Sequence, residues 1–253
     1  MRGLLHHPFR VAGRALWLAG ELVLAALNFI PRVLARENQS GGELRARWLQ
    51  HSCVRVLQVF NVKVESRGMV PTTGLLVCNH LSYLDILVLG SLTPSAFVAK
   101  LEVKHWPVFG WFARMAGTVF VDRQKRVEVG RVTQEMQSVL GSGVLLTLFP
   151  EGTSSDGQTV LAFKSSLLEP AARQAHCLCA GLLRYELEDG DAGEEVCYWK
   201  DMTLLPHLIN LLSKAKVSAS VSFRELRQGN TNRKELARAL HSEVLQLKQR
   251  FVV

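Results

Sequence analysis

The chain has 253 residues, 48% hydrophobic and 21% charged, which supplies a sizeable core and excludes a disordered or low-complexity protein. A formal net charge of +8 calls for an anionic partner: nucleic acid, an acidic lipid surface or a phosphorylated substrate. No zinc-finger spacing, aromatic-rich RNA-binding strand or helix-turn-helix pattern accompanies that charge, so nucleic acid is set aside.

Residues 15–30 form a largely apolar run, shorter than the ~20 residues a bilayer-spanning helix needs. At 100° per residue, Arg10, Arg14, Glu21 and Asn28 fall within about 40° of one another. One narrow polar stripe on an apolar helix suits an element lying in a membrane interface; it also suits a helix whose stripe faces protein. A signal peptide would have an uninterrupted apolar centre and a small-residue cleavage site, and neither is clear here. Pro31 is expected to end or kink the helix. After a polar turn at 38–42, residues 43–60 read as a second amphipathic helix, with Leu44, Trp48, Leu49, Cys53, Val56, Leu57 and Phe60 on its apolar side. Arg45, Arg47 and Arg55 are available there for anionic lipid, or simply for solvent.

From Val62 the pattern becomes strand, turn, helix, repeated. Strands are expected at 62–65, 75–78, 96–99, 118–121, 144–149, 177–185 and 217–223. Helices are expected near 82–91, 127–140, 160–175, 204–213 and 233–251, the last opened by Asn232 and Glu235 at capping-box spacing. The expected fold is therefore α/β: a single domain with a central mixed β-sheet flanked by helices (61–253), preceded by N-terminal amphipathic membrane-associated helices (1–60). Residues 186–195 form an acidic loop. The five cysteines, odd in number and mostly in apolar stretches, point to reduced thiols in a cytosol-facing protein. His176, Cys177 and Cys179 lack a partner pair at zinc spacing, so no metal is expected.

The chemistry concentrates where apolar strands stop. The run 75–78 ends in Asn79-His80, and an apolar helix begins after Asp85, with Ser82 as its expected cap. His80 thus stands at the carboxyl end of a strand, where open α/β sheets place ligands. Asp85, in the first helical turn, is close enough to fold back to the imidazole. Such an Asp–His couple is a general base; the plain alternative is a surface histidine and an Asp favouring a helix N-terminus. The strand 118–121 ends in Asp122-Arg123, and the strand 144–149 ends in Pro150-Glu151-Gly152-Thr153. Arg123 offers a donor fork for phosphate or carboxylate, or an ion pair with Asp122. Glu151 can orient a hydroxyl, and Gly152 lets a ligand approach the backbone.

Asn79-His80-x4-Asp85, the stretch 117–123 and Phe149-Pro150-Glu151-Gly152-Thr153 together resemble the first three blocks of the glycerolipid acyltransferases, more narrowly the bacterial 1-acylglycerol-3-phosphate acyltransferases. The resemblance covers roughly residues 45–225 and implies direct acyl transfer from acyl-CoA or acyl carrier protein, with no cofactor. His80 would take the proton of the acceptor hydroxyl, with Asp85 polarising the ring. Arg123 would bind the acceptor phosphate; Glu151, Gly152, Thr153, Asn79 and Lys100 would help to hold substrate, and Lys164 is a further candidate. No Gly-x-Ser-x-Gly elbow is present, in keeping with direct transfer. The implied acceptor is lysophosphatidic acid, at the cytoplasmic face of the inner membrane, giving phosphatidic acid. Two departures stand out. Ser154 occupies the place where the third block commonly carries arginine, which raises the alternative of another lysolipid such as lyso-ornithine lipid. The fourth block, 177–182, lacks its usual proline. A basic, non-catalytic membrane-binding protein is the rival from another class.

Overall fold

The computed structural model describes residues 7–33, 41–122, 129–173, 177–226 and 232–250. Two helices lead, α1 (Pro8–Val33) and α2 (Gly41–Phe60). They are followed by β1 (Val62–Arg67), β2 (Leu75–Cys78), α3 (Leu84–Leu92), β3 (Ser95–Lys100), α4 (Phe109–Met115), β4 (Val119–Val121) and α5 (Val129–Gly141). The chain continues through β5 (Leu145–Leu148), α6 (Glu169–Arg173), β6 (Leu178–Leu187), α7 (Ala192–Glu195), α8 (Leu204–Ser213), β7 (Val217–Leu226) and α9 (Arg233–Arg250).

Among the described residues the strands form one mixed sheet in the order β1-β7-β6-β2-β5-β3-β4. Strands β6, β2, β5, β3 and β4 run parallel, β7 is antiparallel to β6, and β1 is parallel to β7. Period-two alternation divides the core. Leu76 and Cys78 of β2 pack with Leu57, Leu84, Val88 and Leu211 on one face; Leu75 and Val77 pack with Met136, Leu140, Leu240 and Val244 on the other. Helices α2, α3 and α8 therefore cover one side of the sheet, and α5 and α9 the other.

Four expectations need correction. The helix over 160–175 is absent at its start: Lys164 N–H bonds Pro150 C=O at 2.9 Å, so this segment pairs with the loop after β5, and helix appears only as a 3-10 turn at Ser165–Leu168 and α6. Helix α4 was not foreseen; Val108 enters it at φ 62 and ψ −61, a γ-turn closed by Phe109 N–H to Pro107 C=O that a β-branched residue does not advertise. Of the two outcomes expected at Pro31, an end to the helix does not occur, since α1 runs two residues further. Ser82 does not cap α3: Tyr83 holds the N-cap position without a side-chain bond, and the Ser82 hydroxyl is buried with no partner.

The polar stripe of α1 turns inward. Arg10 Nη1 donates to Ser213 C=O at 2.9 Å, and Arg14 reaches Leu212, Lys214 and Ala215 C=O, so two guanidinium groups close the C-terminal end of α8. Glu21, 7% exposed, accepts from Arg55 and from Trp17 Nε1. Asn28 bonds Leu24 C=O of its own helix. Buried Trp48 of α2 donates to Ala25 C=O at 2.9 Å. The opposite face leaves Phe9, Leu16, Val23, Leu27 and Ile30 exposed. Helix α1 is long and apolar enough to cross a membrane by length and composition, yet its charged groups are tied to the domain. The arginines of α2 are engaged as well: Arg45 donates to Met115 C=O at 3.0 Å, closing α4, and Arg47 pairs with Glu43.

Candidate active site

Because β2, β5, β3 and β4 are adjacent and parallel, their carboxyl ends share one edge of the sheet. That edge gathers His80 after β2, residues 150–153 after β5, Lys100 at the end of β3 and Asp122 after β4. Arg123 lies outside the described residues.

His80 and Asp85 meet as the sequence predicts, with imidazole Nδ1 2.8 Å from Asp85 Oδ2. The same oxygen accepts the backbone N–H of Leu81 (2.7 Å) and Ser82 (3.0 Å), so Asp85, rather than Ser82, satisfies the amides ahead of α3. Asp85 is 0% exposed. Its donors satisfy the buried carboxylate oxygen, and an acceptor at that position assigns the proton of the neutral ring to Nδ1. That leaves Nε2 to receive a proton. The imidazole also stacks on Phe149, with ring centroids 4.3 Å apart, so β5 holds the ring from a second side. Ser155 N–H donates to His80 C=O at 3.0 Å and Tyr198 N–H to Leu81 C=O at 2.8 Å, binding this loop to two others.

Glu151 is 2% exposed, and neither carboxylate oxygen completes a hydrogen bond. Burial pushes its pKa up to about 8, although the nearby backbone amides of His80 and Leu161 favour the charged form. Gly152 takes φ 77 and donates to Phe149 C=O at 3.2 Å, so its immediate task is the turn after β5. Thr153, Lys100 and Lys164 are exposed. Ser154 is turned away to Tyr198 C=O.

Asn79 has a task the sequence did not reveal. Its amide donates to Leu183 C=O at 3.0 Å and accepts Leu183 N–H at 2.7 Å. Both polar atoms of the side chain are thereby occupied by β6, making Asn79 a brace for the loop. Tyr185, two residues further on β6, donates to Asp85 Oδ1 at 2.8 Å. A tyrosine inside an apolar strand gave no sequence signal for that contact. Beside the loop lies a cavity of about 200 Å³, lined in part by Asn79, Asp156, Arg184, Tyr185, Asp191 and Lys248. Among the described residues no group of His, Cys, Asp and Glu gathers to hold a metal ion.

The Acyltransferase family model matches residues 61–181, which include the dyad and the loop after β5. A lyso-ornithine lipid O-acyltransferase of Brucella abortus is 32% identical, over 93% of this chain and 94% of that protein. A 1-acyl-sn-glycerol-3-phosphate acyltransferase of Neisseria gonorrhoeae is 34% identical, over 53% of this chain and 56% of that one. The crystal structure of PlsC, the 1-acyl-sn-glycerophosphate acyltransferase of Thermotoga maritima, shares the fold with TM-score 0.60 at 18% identity, over 92% of this chain and 95% of that one. The chain therefore belongs to the acyltransferase family and is a membrane-associated enzyme of lipid biosynthesis that acylates lysolipids.

Proposed function

We propose that this enzyme moves a fatty acyl group from a thioester donor, acyl-CoA or acyl carrier protein, to the hydroxyl of a lyso-ornithine lipid at the cytoplasmic membrane face. The observation that carries the chemistry is the contact at 2.8 Å between half-buried His80 and buried Asp85, with Nε2 left for the acceptor. In this mechanism His80 Nε2 takes the proton as the hydroxyl oxygen attacks the thioester carbonyl. Collapse of the tetrahedral intermediate breaks the carbon–sulfur bond. The imidazolium then returns the proton to the departing thiolate, leaving ester and thiol.

The acceptor preference reverses the one favoured by the motifs alone. Relatives named for lyso-ornithine lipid match along 66–93% of this chain, those named for 1-acylglycerol phosphate along 49–53%. Ser154 stands where a phosphate-seeking arginine was expected. The cavity beside the loop carries acids, Asp156 and Asp191, together with Arg184 and Lys248, a mixture suited to a headgroup bearing both an amine and a carboxylate. For a phosphate dianion the two acids would be repulsive. The phosphate reading keeps the support of the Neisseria relative and of the family's three blocks.

The test is an acceptor panel: lyso-ornithine lipid against lysophosphatidic acid, with one acyl-CoA donor and detergent-solubilised enzyme. Lyso-ornithine lipid is expected to be used at least about tenfold better in kcat/KM. Equal or better use of lysophosphatidic acid overturns the acceptor assignment while leaving acyl transfer intact. Ser154→Arg is expected to move the ratio toward the phosphate acceptor. His80→Ala is expected to abolish turnover with either; near-normal turnover in that variant sinks the general-base mechanism.

A further inference from the structure

The two oxygens of the Asp85 carboxylate are held very differently. Oδ2 takes three donors, His80 Nδ1 and the amides of Leu81 and Ser82. Oδ1 takes the hydroxyl of Tyr185, at 2.8 Å, from a strand 100 residues away. Asp85 is 0% and Tyr185 7% exposed, so bulk water does not substitute freely for that hydroxyl. Burial, reinforced by the Asp85 charge, pushes the Tyr185 hydroxyl well above its usual range, so it retains its proton and acts as the donor.

Three donors on one oxygen fix where that oxygen sits but leave the carboxylate free to pivot about it. A fourth donor on the other oxygen sets the plane of the group. That plane governs how squarely Oδ2 meets Nδ1, and so where Nε2 points. The His-x4-Asp spacing contains nothing from β6, yet β6 completes its geometry.

We propose that Tyr185 is a positioning residue of the acyl transfer, fixing the plane of Asp85 and through it the direction of His80 Nε2. The proposal rests on the reading of His80 as general base. Removal of the hydroxyl in Tyr185→Phe keeps the ring volume and leaves Oδ1 without its donor. The expected result is a fall in kcat of about tenfold, the scale of one charge-assisted hydrogen bond, with KM unchanged for donor and acceptor. A purely structural role would lower the amount of folded enzyme and leave the kcat of the folded fraction alone.

A double-mutant cycle in detergent-solubilised enzyme separates these outcomes. In the Asp85→Asn background, Tyr185→Phe is expected to change kcat by less than about twofold, because the carboxylate through which it acts is gone. A Tyr185→Phe single variant within about twofold of wild-type kcat overturns the proposal, as does a loss that multiplies undiminished in the Asp85→Asn background. Site-specific 4-aminophenylalanine at position 185, a weaker donor of the same shape, is expected to lower kcat by about threefold at unchanged KM. If Tyr185→Phe does not fold, this variant carries the test, and wild-type kcat in it overturns the proposal. Should His80→Ala retain turnover, the general-base reading itself falls; a dead His80→Ala beside a normal Tyr185→Phe removes Tyr185 alone.

Discussion

The side chain of Asn79 pairs with both polar atoms of the Leu183 peptide, at 3.0 and 2.7 Å, and so takes the place of one more residue of strand β2. Strand β2 ends at Cys78, opposite Gly181, whereas β6 runs on to Leu187. Without the amide, the Leu183 N–H and C=O would face the end of the sheet unpaired. Since His80 is the next residue, the pairing also fixes where the loop carrying His80 departs.

Asn79→Ala exposes this dependence. Leu183 is 0% exposed, so its peptide would lose two partners in a dry setting. A loss of about 3 kcal/mol in unfolding free energy is expected, read by urea titration in detergent. A fall in kcat should accompany it as the loop loosens. Wild-type stability in this variant would remove the brace from the account.

Two buried groups should make stability depend on pH in opposite senses. Glu151 has its pKa pushed up to about 8 by burial, so the fold favours the neutral acid. Its contribution is complete below the unfolded value of 4.5 and disappears as pH rises through about 8. His207 is held down to about 4 by burial, with Nε2 near Cys197 C=O and Nδ1 2.9 Å from Tyr83 Oη. Its contribution is complete above 6.5 and is lost as pH falls through about 4. Glu151→Gln should therefore flatten the alkaline decline of Tm, and His207→Asn the acidic one, each by the equivalent of a few kcal/mol. Unchanged pH profiles in both variants would refute this assignment.

Much of the site was legible because buried parallel strands read as apolar runs that stop abruptly. Leu75–Cys78 and Leu145–Leu148 did so, and the polar residues after them proved to share one edge. The His80–Asp85 contact was readable because an acid in the first turn of a helix can fold back to the loop just ahead of it. Contacts from β6 were not readable: Leu183 and Tyr185 are apolar and aromatic residues in a strand, and pairings over 104 and 100 residues leave no local pattern. The direction of the α1 stripe was equally hidden. Its angular width follows from sequence, but whether it meets water, lipid or protein depends on the carbonyls at the end of α8.

Arg14→Ala tests that docking. The substitution removes the guanidinium from Leu212, Lys214 and Ala215 C=O, and adding Arg10→Ala removes it from Ser213. The double variant should lose about 1–2 kcal/mol of stability and gain protease cuts between residues 8 and 33. Turnover of a short-chain, micelle-free acceptor should stay within about twofold of wild type, since neither arginine touches the dyad. Unaltered proteolysis would detach the arginines from the docking of α1.

The span between Arg14 and its acceptor carbonyls also sets an order of events at the ribosome. Lys214 lies 200 residues beyond Arg14, so the helix is made long before the groups that receive its guanidinium exist. In that interval α1 presents an open apolar face and unsatisfied cations, and lipid headgroups and acyl chains meet both demands. Once α8 has been made, its carbonyl oxygens receive Arg10 and Arg14, and the opposite face of α1, with Phe9, Leu16, Val23, Leu27 and Ile30, stays uncovered by the domain. The docking of α1 on the domain is therefore a late step of folding, completed only after residues 212–215 have been made.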